Sequence, residues 1–325
     1  MNEMNNQYIL ISFLSDRFHE LRSFWKRYRE TDVGDAFIGT DRVMNKNLGG
    51  LLILFDWDKL QIVTKINVST PTGFDYNDRL IYLSHGGNKI GLFDKLLSHN
   101  TDISHPYLND THSVNLSDRG ILIASTGVDA IVELDFKGNL LFEWFAMEHG
   151  YLADPKGRVR KIDKNFDHRS SQYPTLSHTT HLNSVIYAGK TDYFNETILC
   201  VLFHQGEILA IDRKTGEHEI AIKGLNHPHS IYKLKDGYIV SDTQNNRVLL
   251  LSENFNVFKI IDIPHLDWVQ DAVVLPNLNM MVADSNNFRI IEINYLDKKI
   301  VKEFKFSSEL KIYQVKPIMK SWFKC

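Results

Sequence analysis

Short apolar runs separated by polar turns recur along most of this chain. Leu51-Leu52-Ile53-Leu54-Phe55 and Ile198 to Phe203 are continuous runs of strand length. They predict buried strands. Gln61 to Val68 instead alternates, with Ile62, Thr64, Ile66 and Val68 on one face of a strand. Aromatic and β-branched residues dominate the runs. The turns between them carry hairpin chemistry: Asp135-Phe136-Lys137-Gly138-Asn139, Asp212-Arg213-Lys214-Thr215-Gly216 and Lys235-Asp236-Gly237 each put Gly where a turn needs positive φ. Tyr8 to Phe13 reads as a strand. Residues 16–30 break the pattern, since Phe18, Leu21, Phe24, Trp25 and Tyr28 follow the spacing of three and four that marks a helix.

The runs repeat with a period. Asn226-His227-Pro228-His229-Ser230-Ile231-Tyr232 leads to Asp236-Gly237-Tyr238-Ile239-Val240-Ser241-Asp242 and then to Asn245-Asn246-Arg247-Val248. One period on, Val269-Gln270-Asp271-Ala272 leads to Met281-Val282-Ala283-Asp284 and Asn286-Asn287-Phe288-Arg289. Weaker copies start near Thr72, His112 and Asn183. Taking Thr72, His112, Asn183, His229 and Asp271 as equivalent, the intervals are 40, 71, 46 and 42 residues. Periods of about 40–50 residues suit four-stranded blades. The long interval holds the polar stretch 147–177, read as a loop insertion.

These spacings predict an all-β fold: a six-bladed β-propeller spanning 1–325 as a single domain. A short helical insertion (16–30) interrupts the first blade. Later blades cover residues 70–106, 111–145, 178–223, 228–262 and 268–306. Leu310, Ile312, Tyr313 and Val315 are expected to supply a closing strand in the 307–325 tail, removing free sheet edges. The 147–177 insertion, with no sustained period, is expected to act as a lid between blades three and four.

Composition adds limits. The chain has 325 residues, a net charge of −3 and 43% apolar residues. No long run of one sign supports nucleic-acid binding. Arg22, Lys26, Arg27 and Arg29 are interleaved with Glu20 and Glu30 and read as a solvated helix face. Two cysteines, Cys200 within an apolar strand and Cys325 at the end, give no disulfide framework and fit a reducing compartment. With no signal-peptide pattern and no run near 20 apolar residues, a soluble cytoplasmic protein is expected.

In an antiparallel blade, the start of strand one and the end of strand two share a rim. His85, His112, His181, His204 and His229 are therefore expected on one rim, with His178 and His227 close by. Neutral imidazoles suit a divalent transition metal, zinc or iron foremost. The expected ligands are His112, His181 and His229. Asp271 is expected as a fourth ligand or general base, with His85 and His204 binding substrate or working as acid and base. Asp242 and Asp284, each before an Asn-Asn and an Arg, read as ties for the hairpin. Cys200 reads as buried rather than nucleophilic. There is no GxSxG elbow, Walker loop or helix-opening GxGxxG.

The copies around His229 and Asp271 resemble NHL repeats, through Pro228-His229-Ser230-Ile231, Asp236-Gly237, Ser241-Asp242 and Asn245-Asn246-Arg247-Val248. His181 through Glu217, and Ala130 through Trp144, look like arylsulfotransferase-type propellers. The resemblance covers about residues 70–306 and implies the six-bladed fold. NHL-type peptide-amidating lyases hold zinc on histidines from several blades, which would match His112, His181 and His229. Arylsulfotransferases use a histidine as sulfo acceptor, which would match His204 or His229. Gluconolactonase-like propellers bind calcium through carboxylates and Asn, and this rim is richer in imidazole. The resulting expectation is a metal-dependent lyase or hydrolase for a small polar molecule. The alternatives are a non-catalytic NHL-like binding propeller, with a protein partner on the rim or on 147–177, and a metal-free histidine-based sulfotransferase.

Overall fold

A computed structural model describes residues 7–30, 37–38, 49–318 and 322. Among the described residues the strands form six four-stranded antiparallel sheets and one two-stranded pair, in which Phe37–Ile38 meets Ser171–Gln172 of the insertion. Blade one combines Tyr8–Phe13, Leu51–Asp56 and Gln61–Asn67 with the C-terminal strand Ile312–Ile318, which pairs with Tyr8–Phe13 from Tyr8↔Ile318 to Phe13↔Ile312. The two ends of the chain thus close the ring, and Ile312–Ile318 takes the innermost place in its blade. The other five blades are sequential, with innermost strands Phe74–Tyr76, Thr111–Leu116, Leu182–Gly189, Ile231–Leu234 and Val269–Val274.

The continuous apolar runs are explained by their place. Second strands such as Ile121–Ser125, Thr197–Leu202, Gly237–Asp242 and Met280–Asp284 are buried along their whole length. One face packs on each neighbouring blade. In Tyr8–Phe13, Ile9, Ile11 and Phe13 join a core shared with blade six, while Leu10 joins one shared with blade two. Outermost strands such as Gln61–Asn67 and Lys299–Lys305 are mostly exposed. Ile62 departs from the alternation: the register slips between Leu54 and Phe55, leaving Val63 unpaired and Ile62 at 45% exposure. The core is therefore a ring of inter-blade interfaces. At the junction of blades one and six, the Phe55 ring lies 4.8 Å from Phe304 and 5.8 Å from Phe306. Truncating a buried ring of this kind to Ala costs about 3–5 kcal/mol.

The helix spans Phe18–Glu30. It buries Phe18, Leu21 and Phe24, with Trp25 half-buried, and leaves Arg22 and Lys26 in solvent. Phe18 packs on Phe288 of blade six at 5.9 Å. The Arg27, Tyr28 and Arg29 side chains, and Cys325, lie outside the described residues. Cys200 is buried and free, as its apolar strand requires.

Asp242 and Asp284 tie the hairpins between strands two and three. Asp242 accepts from Asn245 Nδ2 at 2.9 Å, Arg247 Nε at 2.6 Å and the Asn226 N–H at 2.7 Å. Asp284 repeats the pattern with Asn287, Arg289 and the Asp267 N–H.

Candidate site at the channel mouth

Every blade after the first enters its innermost strand through the same backbone device. Thr70, Asp110, His181, His227 and Trp268 all have φ between 43° and 63°. Residues with a Cβ avoid this region at a cost of about 1–3 kcal/mol each. Two positions later come Thr72, His112, Asn183, His229 and Gln270, so the kink sets what reaches the axis. Because it recurs in five blades, it is a property of the repeat. His181 and His227 occupy the kink itself, while His112 and His229 occupy the inward position.

One narrow opening on the axis is lined by His112, Asn183, His229, Tyr232, Asp271 and Tyr313, among others. Tautomers around it follow from the hydrogen bonds. His229 Nδ1 lies 3.1 Å from the His227 carbonyl, so it must carry the proton and donate; Nε2 keeps its lone pair. His178 Nε2 lies 3.1 Å from the Tyr173 carbonyl and must donate. Its Nδ1 is then an acceptor, and His181 Nδ1, 2.8 Å away, donates to it. His181 Nε2 is therefore also bare. Asn183 Nδ2 donates to the Pro228 carbonyl at 3.0 Å, which aims Oδ1 at His112 Nδ1, 2.9 Å away.

The charge states divide. Burial pushes His178 down to about 4, His229 down to about 3, and His181 well below the usual imidazole range. All three are neutral near pH 7. Burial also opposes charge on His112, but the Asp110 carboxylate, 3.7 Å from Nε2, outweighs it and raises the pKa. Asp271 is buried and raised to about 6 by desolvation. Its Oδ2 accepts from the Val315 N–H of the closing strand at 2.9 Å, and the Ser230 and Tyr232 side chains favour its charged form; among the described residues its buried Oδ1 has no hydrogen-bond partner of good geometry. Such a group at an opening calls for an explanation in function.

His112 and His181 are edge to face at 4.9 Å. The Phe203 ring stands 5.0 Å from His181 and 5.2 Å from His229. The Nε2 lone pairs are not drawn into one coordination sphere: among the described residues, the only group of three His, Cys, Asp or Glu with donor atoms all within 4.8 Å is His85, His99 and Asp102. His204 sits 5.6 Å from His181, ring to ring, and its Nε2 donates to the Thr175 carbonyl. His85 turns away from the axis, its Nε2 2.9 Å from Asp102 on the outermost strand of blade two.

The sequence reading missed Asp129. It is buried, with φ 49°, and binds the returning end of the insertion. It accepts from the backbone N–H groups of Thr179, Thr180 and His181 at 2.8, 3.0 and 2.8 Å and pairs with Arg160. Arg160 also donates to the Gly127 carbonyl and stacks over Tyr173. Residues 146–181 are thus tied down by turns and buried ion pairing, and Asp129 sets His181 by its main chain. Its position, matching Asn246 and Phe288 at the end of the strand-two turn, was the available signal.

No protein-family model matches the chain, and no curated protein does. Solved structures match in shape. A protein of unknown function from Bacteroides caccae aligns with 14% identity over 96% of this chain and 99% of its own, at a TM-score of 0.63. A chain of a nidogen–laminin complex aligns with 10% identity over 95% and 98%, at 0.61. A streptogramin B lyase aligns with 14% identity over 77% and 94%, at 0.51. These likenesses establish the β-propeller fold. Among the described residues, no helix is long and apolar enough to cross a membrane.

Proposed function

We propose that the channel mouth is an enzyme site for a small polar molecule, working by proton transfer in a lyase or hydrolase reaction. The observation that carries this is the buried, unpartnered Asp271 Oδ1 in an opening shared with His112 and His229. Environments that push titratable groups apart assign acid and base roles. His112, favoured as the cation by Asp110, is the acid. Asp271, ionised above about pH 6, is the base. The bare Nε2 atoms of His181 and His229 accept hydrogen bonds from substrate, and His204 contacts it from the side of the insertion, which serves as a lid. A streptogramin B lyase uses a fold of this kind, although fold alone does not assign chemistry.

In its finer form the proposal places a divalent transition metal, zinc or iron, on His112, His181 and His229. The tautomers favour it, since each Nδ1–H is held by an outer partner, the arrangement that orients imidazole ligands. The rings would have to close past Phe203 to share an ion.

The test is a screen of small polar molecules against the full chain by imidazole chemical shifts and product mass spectrometry, with metal content measured in parallel. Turnover lost in Asp271→Asn and His112→Ala supports the site. Saturable binding without turnover would make this a binding propeller instead. Metal per chain no lower in His112→Ala and His229→Ala than in the parent would overturn the metal form alone.

A further inference from the structure

His85, His99 and Asp102 form a cluster that the channel mouth does not use. His85 ends the second strand of blade two (Ile81–His85), and His99 and Asp102 lie on the outermost strand, His99–Ile103. Both imidazoles converge on one oxygen: His85 Nε2 is 2.9 Å and His99 Nε2 2.7 Å from Asp102 Oδ1. One donor atom from each residue lies within 4.8 Å of the other two.

Two backbone features build this. Residues three apart on a regular strand face opposite sides. Here the register slips, with Phe93 opposite His99 and Leu92 opposite Thr101, and the bulge at Asn100 brings His99 and Asp102 to one face. The strand between, Lys89–Phe93, carries Gly91 directly beneath His85. A Cβ on Gly91 would stand 2.9 Å from His85 Nε2 and 2.7 Å from the Phe93 ring. The missing side chain lets the imidazole lie across that strand to reach Asp102. The Phe93 ring also supports His99 at 5.1 Å.

We propose that His85, His99 and Asp102 bind a divalent first-row transition metal such as zinc, clipping the second strand of blade two to its outermost strand. Two imidazoles and one carboxylate are a donor set these ions take, with positions left for water. The open side is toward solvent: the His99 side chain is 45% exposed and Asp102 22%, against 14% for His85. The ion takes the place of the protons that now bridge nitrogen and Oδ1, with each imidazole proton moving to Nδ1 or to water. Lys89 Nζ, 2.9 Å from Asp102 Oδ2, competes for the carboxylate. It holds the cluster together without metal and weakens metal binding.

The experiment is titration of the chelator-stripped full chain with Zn2+ by calorimetry and with Co2+ by visible absorbance. A saturable site that depends on His99 is expected, over and above any ion held at the mouth. His99→Ala, at an exposed position that spares the fold, weakens it by more than the roughly 10–100-fold that losing an outer partner costs. Lys89→Ala tightens it by about threefold, through removal of a like charge. His229→Ala leaves it unchanged, which separates this site from the channel mouth. No saturable binding, or equal binding by the parent and His99→Ala, overturns the proposal. Binding lost in His229→Ala but kept in His99→Ala also overturns it and assigns the ion to the mouth.

Discussion

Glu133 and Asp271, at opposite ends of the propeller, are buried carboxyls whose pKa values shift in opposite directions. At the end away from the mouth, Glu133 is fully buried and saturated. It accepts from Arg213 Nε at 2.9 Å, Arg119 at 3.0 Å and Ser117 Oγ at 2.6 Å, and Arg213 also reaches Asp118 at 2.6 Å. Glu292 likewise accepts from Trp57 Nε1 and from the side-chain amides of Asn277 and Asn279. Burial raises both pKa values, but the donors outweigh it and hold both carboxyls below their usual range. At the mouth, desolvation of Asp271 outweighs the Val315 N–H and the Ser230 and Tyr232 side chains that favour its carboxylate, and its pKa rises to about 6. The balance decides the sign: at Glu133 and Glu292 the donors, helped by the charges of Arg213 and Lys302, outweigh desolvation, and at Asp271 desolvation wins. Carboxyls held in the charged form tie blades together, and one raised by burial keeps the capacity to take or give a proton near neutral pH.

The contrast can be broken most strongly at Glu133. Arg213→Met leaves buried Glu133 with Arg119 and Ser117 as its remaining donors, and loss of one partner of a buried pair costs up to about 3–5 kcal/mol. Urea unfolding at pH 7 should show it, and a cost under about 1 kcal/mol would mean that the network is not structural.

At the mouth the expected effects are smaller and depend on pH. His178 and His229 have folded pKa values of about 4 and about 3, below the unfolded value, so the unfolded chain takes protons first as pH falls. The stability they contribute is present above about pH 6.5 and lost below it, by about 2 kcal/mol for each at pH 5. His229→Gln should flatten the unfolding profile between pH 6.5 and 5. For Asp271 the sign reverses: its folded pKa is raised, so the native state loses stability as pH rises from about 4 to about 6. Asp271→Asn should therefore stabilise the protein by about 1–2 kcal/mol at pH 8 and show no gain at pH 4. The smallest effect is expected for His204→Ala, which removes one hydrogen bond to Thr175 and should cost about 1 kcal/mol or less. Faster amide exchange in residues 175–180 would report the loosened insertion.

The architecture was legible because it is written in repetition. The copies around His229 and Asp271 revealed the period, and the apolar run at Ile312 marked the closing strand. The hairpin ties at Asp242 and Asp284 were legible for the same reason, since each copy carries its own Asn and Arg partners. The site was legible only in part. Equivalent positions pointed to His112 and His229 at the mouth, but a period does not show where a strand bulges. The bulge at Asn100 puts His99 beside Asp102, and Gly91 lets His85 turn outward. The slip between Val269 and Asp271 places both Gln270 and Asp271 at the opening. Asp129 acts on the insertion through contacts about 50 residues away, a distance at which local pattern carries no information.

The mouth holds neutral imidazoles with bare Nε2 atoms beside a carboxyl raised by burial. Long-range nitrogen–proton NMR of the histidine rings at pH 7, repeated at pH 5, tests it directly. The account predicts Nδ1–H signals for His181 and His229, with both rings still neutral at pH 5. Imidazolium signals for these residues at pH 7, or Nε2–H tautomers, would contradict it.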